Sequence, residues 1–264
     1  MMIINNSLAA LANAWEMLLD PPCPKSLSNR IQDADPDLLP ELTVYGFPVL
    51  GFALGLLAVI FARVVNILPN PVASAFIFAG VCTLVSEYVT SGRSVGALAS
   101  FIELRADGLS SHEAMLHSRS DFNVNRKPAG MLSMIAILVI KAFCFFVLFQ
   151  KGQTIVIAGA LMLSFAGQAC LAALPSMESG QPFLEAHAVT FKRLWIVAFT
   201  FMIIVFISAP YAALAGMACG GAIIWIIQNM CLKNFDGMIN EKIIGIAGAV
   251  IELTALLSGF LFIR

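Results

Sequence analysis

The sequence predicts an all-α, polytopic integral membrane protein of about seven transmembrane helices with an N-terminal amphipathic or re-entrant helix. Three observations predict it. Hydrophobic residues make up 59% of the chain and charged residues 12%, against about 25% charged in an ordinary soluble domain. Long apolar segments recur from end to end, most of them near the roughly 20 helical residues that a 30 Å hydrocarbon core requires. The basic residues between those segments fall almost entirely on one side.

The chain reads as one membrane domain, 1–264, whose residues 1–43 form an N-terminal interfacial segment. Ile3 to Leu19 does not read as a secretory signal: no basic residue precedes its apolar part, Asn5 and Asn6 interrupt it, and no small-residue cleavage pattern precedes Pro21. It reads as an amphipathic helix stopped by Asp20-Pro21-Pro22, lying at the interface or re-entering the membrane. The apolar segments follow as Val44 to Leu68, Val72 to Val89, Ala129 to Phe149, Thr154 to Leu174, Leu194 to Ala209, Ala212 to Met230 and Ile243 to Ile263. Leu194 to Ala209 is short, and Pro210 all but joins it to the next, so these two also fit one broken hairpin or a single kinked element.

Seven spans sort the 15 basic residues unevenly. Lys25, Arg30, Arg93, Arg105, Arg119, Arg126, Lys127, Lys192, Arg193, Lys233 and Lys242 fall on one face, and Lys151 and Arg264 on the other. Because cytoplasmic loops retain positive charge, the N-terminus is expected in the cytoplasm and residues 90–128 form the main cytoplasmic loop. The net charge of −1 carries no global basic signature for nucleic acid. Six cysteines without a CxxC pairing, most of them within apolar segments, read as small core residues. No Walker sequence, G-x-S-x-G elbow, H-E-x-x-H or spaced-aspartate CDP-alcohol phosphotransferase pattern occurs.

Three polar stretches lie on the basic face. Asp20 to Thr43, with Asp33, Asp35, Asp37 and Glu41 among prolines, reads as a solvated linker. In Thr90 to Pro128, Ser100 to Ala106 reads as helical, which puts Glu103 and Asp107 at i, i+4 on one face. Such a pair fits a solvated helix face, and it also fits Mg2+ held beside substrate phosphates. His112 and His117 miss zinc spacing and read as loop or interfacial residues. The third stretch is split between Pro175 to Arg193 and Leu232 to Lys242, and offers Glu178, Glu185, His187, Asp236, Asn240 and Glu241.

Two charges stand inside apolar segments, Lys141 mid-segment and Glu252 in the last one. Burying an ionisable group at that depth costs a few kcal/mol or more unless it is paired or faces water. Both a functional pocket and a Lys-to-Glu bridge between helices satisfy that condition. Arg63, near the end of its segment, is expected to snorkel.

Several of these features fall into a familiar order. Phe47-Pro48-Val49-Leu50-Gly51-Phe52-Ala53-Leu54-Gly55, Leu18 to Pro24, Ala129-Gly130 running into Lys141, Glu178-Ser179-Gly180, and Gly248-Ala249-Val250-Ile251-Glu252-Leu253 resemble elements of the cobalamin synthase family, the adenosylcobinamide-GDP ribazoletransferases of bacterial inner membranes. The resemblance implies a membrane transferase that joins alpha-ribazole phosphate to GDP-activated cobinamide with release of GMP, using Mg2+. It implies catalytic roles for Lys141 and Glu252 and substrate contacts from Glu178 and Gly180. Glu103 and Asp107 read as displaced catalytic and metal carboxylates standing in for the family's own, with Glu241 as a further metal contact and Asn240 and Glu241 as further substrate contacts.

The chain departs from the family where the acidic H-L-D-G-x-x-D-x-x-D-G motif belongs. Residues Arg93 to Glu103 there keep one glycine and no aspartate. The family's S-R pair becomes Ser164-Phe165, and its T-G-D becomes Ile239-Asn240-Glu241. Phosphoryl transfer rests on positioning and charge stabilisation, so these losses leave two further readings open. One is a non-catalytic paralogue that scaffolds a partner or binds a corrinoid, and the other is a small-molecule transporter using the buried charges. The partners expected are the lipid bilayer, a nucleotide-activated corrinoid and alpha-ribazole phosphate, with no nucleic acid; a homo-oligomer is compatible with the sequence.

Overall fold

The computed structural model describes residues 2–36, 38–118, 127–172, 202–203, 205–207, 209–234 and 239–262. These form α1 (Met2–Leu18), α2 (Lys25–Gln32), α3 (Leu39–Val65), α4 (Pro71–Val89), α5 (Arg93–Ala106), α6 (Ser111–His117), α7 (Pro128–Gln150), α8 (Ile155–Ala172), α9 (Pro210–Asn234) and α10 (Glu241–Phe262), with no β-strand among the described residues. Six of them, α3, α4, α7, α8, α9 and α10, are long and apolar enough to cross a membrane. The protein is thus an all-α, multi-pass membrane protein. Of the remaining segment, Leu194 to Ala209, residues 194–201 lie outside the described residues. Met202 and Val205 are buried and pack against Gly159 of α8.

The bundle is organised around α8, in which every residue from Val156 to Ala172 is buried. Apolar residues on all sides make this the interior helix. It packs against α3, α9 and α10. Contact with α3 is at backbone distance: a Cβ on Gly51 would stand 2.6 Å from the Leu161 carbonyl oxygen, and one on Gly55 would overlap Ala158 Cα. Small residues at such crossings let helices in lipid gain dispersion energy where no hydrophobic drive separates them from the solvent.

α4 and α7 form a second group, joined by stacked Phe78 and Phe149 (centroids 4.9 Å) and by Phe76 against Phe146 (4.8 Å). α4 starts sharply because Pro71 supplies a pre-set φ and Asn70 accepts from the Val72 and Ala73 amides. It ends at a tight reversal through Ser91 (φ 53) and Gly92 (φ 60), which aims α5 back under α7 and α10. The left-handed backbone there suits glycine and strains Ser91.

Both ends of α1 meet the same end of the bundle. The Asp35 amide, just before α3, donates to Asn6 Oδ1, and the Asp20 amide donates to the Val89 carbonyl at the end of α4. α1 therefore lies along that end without crossing, as its interfacial or re-entrant reading requires. Its alanines sit against α3, where a Cβ on Gly46 would be 2.9 Å from Ala14 Cβ. The stretch read as a linker, Asp20 to Thr43, contains α2, whose half-buried Leu27 and Ile31 pack on α1 and whose Ser28 donates to Glu16 at 2.8 Å. Local amphipathicity outweighs the prolines there because Pro24 stands ahead of the first turn.

The described elements bearing Lys25, Arg30, Arg93, Arg105, Lys127, Lys233 and Lys242 gather at this end, and Lys151 follows α7 at the opposite end. α8 ends at the basic end and α9 begins at the other.

Gly51 and Gly55 against Gly80, which has no atom within 4 Å of an added Cβ, give a direct test of this packing. Gly55→Ala is expected to lower stability by about 1–3 kcal/mol because backbone, not a flexible side chain, must yield. Gly80→Ala is expected to be neutral or to raise stability by up to about 1 kcal/mol through helix propensity. Thermal unfolding in detergent, followed by loss of monodisperse protein, checks both.

Candidate functional site: a buried ion triad and a charged cavity

Two polar centres are built into this frame. The first joins the helix groups. Lys141 Nζ, on α7 and 3% exposed, lies 2.7 Å from Glu87 Oε1 on α4 and 2.7 Å from Glu252 Oε1 on α10. The contact to Glu87 has the angle of a hydrogen bond, and that to Glu252 is an ion pair without one. The Phe145 ring centroid stands 6.0 Å from the same nitrogen, at the outer limit of a cation–π contact. Lys141 lies roughly 20 Å along its helix from Pro128, and the stem reaches back toward the basic end, which lets it meet Glu87 near the close of α4.

Lys141 and Glu252, singled out in the sequence, are thus brought together. Glu87 was not singled out: two residues from the end of α4, it reads as a helix-end carboxylate beside water. Its signal was its place inside the apolar run Val72 to Val89. Glu87 also lines a lateral, largely apolar groove between α4 and α7, beside Gly80, Thr83, Leu138 and Val139.

The second centre is a cavity of roughly 140 Å³ at the basic end. Its polar wall is Arg93 and Ser94 from the start of α5, Thr90, Gln168 of α8 and Glu241 at the start of α10; Phe47 and Phe165 close the apolar side. Arg93 donates to the Met17 carbonyl at 3.3 Å and stands 3.9 Å from Asp20, with half its side chain accessible. Gln168 is held by its Nε2, 3.4 Å from Ser164 Oγ, and Ser164 donates to the Gly248 carbonyl at 2.9 Å. Gly248 admits Gln168 only because it lacks a Cβ. Gln168 went unnoticed as one amide in an apolar segment.

The other sequence candidates are placed as follows. Glu103 and Asp107 do share one side of the C-terminal end of α5, and both face Lys127. The Lys127 amide donates to Glu103 Oε1 at 3.4 Å, its ammonium pairs with Asp107, and Gly130 leaves room for the Glu103 carboxylate at the start of α7. This is a carboxylate at a helix N-terminus, where the macrodipole favours it. The hydrogen bond that Lys127 donates to Asp107, and then the Asp107 charge, hold the ammonium's pKa above its ordinary value. Asn240 caps α10, its Oδ1 accepting from the Ile243 amide at 2.8 Å. Glu241 enters the cavity while Glu103 and Asp107 do not. Glu178 and Gly180 lie outside the described residues. His112, in α6, reaches the Asn234 carbonyl at 3.1 Å. Among the described residues no group of three His, Cys, Asp or Glu side chains converges as a metal site.

Comparison with protein-family models, curated proteins and solved structures finds no match to this chain.

The triad's energetics are testable by neutralisation. Lys141→Met leaves two carboxylates buried against one another and is expected to cost about 3–5 kcal/mol. Adding Glu87→Gln and Glu252→Gln should recover most of that loss, which a comparison of melting temperatures of the single and triple variants measures.

Proposed function

We propose that the cavity at the basic end is the substrate site of a membrane transferase of the cobalamin synthase type, one that joins alpha-ribazole phosphate to a GDP-activated cobinamide and releases GMP. What supports the reading is convergence. The three stretches that the resemblance assigns to diphosphate and metal are Arg93 to Glu103, Ser164-Phe165 and Ile239 to Glu241. They are far apart in sequence, and they contribute Arg93, Ser94, Phe165 and Glu241 to one cavity. The basic end that holds it would face the cytoplasm of a bacterial inner membrane, where nucleotide-activated substrates are found.

In this reading Arg93 meets substrate phosphate, Gln168 and Ser94 orient it, and Lys141 with Glu252 are positioning residues that fix the height of α10 and hence of Glu241. Among the described residues no three-carboxylate cage forms; Glu241 would be the carboxylate to touch a magnesium ion carried in on a substrate diphosphate. Such an ion would neutralise charge on the departing phosphate.

A second reading, a corrinoid-binding or scaffolding paralogue without catalysis, is favoured by one observation: Arg93 already contacts Asp20 and Met17, and Glu103 and Asp107 are committed to Lys127. Purified protein supplied with adenosylcobinamide-GDP, alpha-ribazole phosphate and Mg2+ separates the two. The transferase is expected to release GMP, and Glu241→Gln to slow release by roughly 100-fold, the scale of losing one charge-stabilising group. Donor binding by folded wild type without GMP release would make the scaffold the answer.

A further inference from the structure

A second space lies beyond the apolar wall of the cavity at the basic end. α3 and α4 touch where Phe61 stacks on Phe78, with centroids 6.1 Å apart. From there toward the basic end they leave a cleft of roughly 240 Å³, lined by Leu54, Ala58, Val81, Cys82, Val85 and Phe145. Thr90 and Phe165 line both this cleft and the cavity that holds Arg93 and Glu241. The two spaces are therefore neighbours, with this pair of side chains between them.

The chemistry changes across that junction. On the membrane side nearly all the lining is aliphatic or aromatic, and Leu57 and Val85 present open apolar surface at the mouth. On the basic side stand a half-accessible guanidinium, an amide, two hydroxyl-bearing side chains and, across from them at the start of α10, the Glu241 carboxylate. α5 also begins there without a side-chain cap, so its first amides add partial positive charge beside Arg93. A soluble anion would use only the basic side and leave the cleft empty. A neutral lipid would fill the cleft and leave the guanidinium to Asp20, 3.9 Å away.

We propose that cleft and cavity form one continuous site for a phosphate-bearing amphiphile taken from the bilayer, with its apolar chain between α3 and α4 and its phosphate at Arg93. The proposal uses the cavity assigned above as the substrate site and gives the chemical class that this site admits from the membrane. It does not require the transfer reaction.

The test uses the full chain in phosphatidylcholine nanodiscs and a monoacylglycerol phosphate carrying a diazirine in mid-chain. Photolysis is expected to label peptides covering 54–61 and 81–89. Unlabelled monoacylglycerol phosphate should suppress labelling, while equal inorganic phosphate or uncharged monoacylglycerol should not. Arg93→Gln should weaken the competition roughly tenfold, as loss of a charge-assisted hydrogen bond does. Ala58→Phe should block the cleft and abolish the label, and the wild-type peptide map stands even if that variant misfolds. Labelling spread evenly over the lipid-facing side chains of α4, α7 and α9 would overturn the proposal, as would equal competition by the uncharged lipid or by free phosphate. The GMP assay is independent of it. Cleft labelling without GMP release overturns the transferase and leaves this site standing, and GMP release without labelling does the reverse.

Discussion

The ammonium of Lys141 is the joint on which the arrangement of helices depends. α3, α8, α9 and α10 pack as one group around α8, and α4 with α7 pack as another. Between the groups α3 meets α4 where Phe61 stacks on Phe78, α7 meets α10 where Phe143 stands edge-on to Phe260 (centroids 5.6 Å), and α5 packs on both α7 and α10. The polar link between them at membrane depth is one ammonium held by a carboxylate from each side, Glu87 from the α4 group and Glu252 from the α8 group. In water such a triad would be of little net worth, but here neither partner can exchange its ligand for solvent. Removing the ammonium leaves two buried carboxylates facing one another, whereas removing one carboxylate leaves a neutral Lys–Glu pair.

The two helix groups leave space beside α4 on both flanks. On the α3 flank it becomes the cleft lined by Ala58 and Cys82, and on the α7 flank the groove that reaches Glu87. Backbone-close contact at Gly51 and Gly55 works the other way, leaving α3 no freedom to move off α8 and fill the cleft. The cavity at the basic end is thereby fixed by packing and not by its own side chains.

Much of this was legible in the sequence, and for a definite reason. Membrane helices declare themselves by length and apolarity, since every backbone polar group must be satisfied within the segment, and the six described spans begin and end within a few residues of their sequence boundaries. Lys141 and Glu252 stood out because charge at such depth has few tolerable environments. Glu87 did not, since only the three-dimensional crossing of α4 and α7 removes it from water. Glu103 and Asp107 show the converse: their i, i+4 spacing correctly put them on one side of α5, but spacing carries no information about the Lys127 and α7 N-terminus that occupy that side. Arg93, Gln168 and Glu241 belong to three helices, so nothing local marks them as one wall.

The site's charge balance also bears on how the resemblance should be weighed. A family that handles a diphosphate through clustered aspartates holds metal with the protein; at the positions where those aspartates belong, this chain instead starts α5 with an arginine and an uncapped helix N-terminus. Replacing acid by base at a phosphate site changes how charge is neutralised without changing which charge is bound. A guanidinium can pair directly with phosphate in a planar, bidentate geometry that an aspartate reaches only through a cation. Under the proposed function, phosphate recognition would pass to Arg93. Catalysis is the more demanding role, because it needs the charge to be stabilised as it develops on the leaving group, and for that the cavity offers the side chains of Arg93 and Glu241.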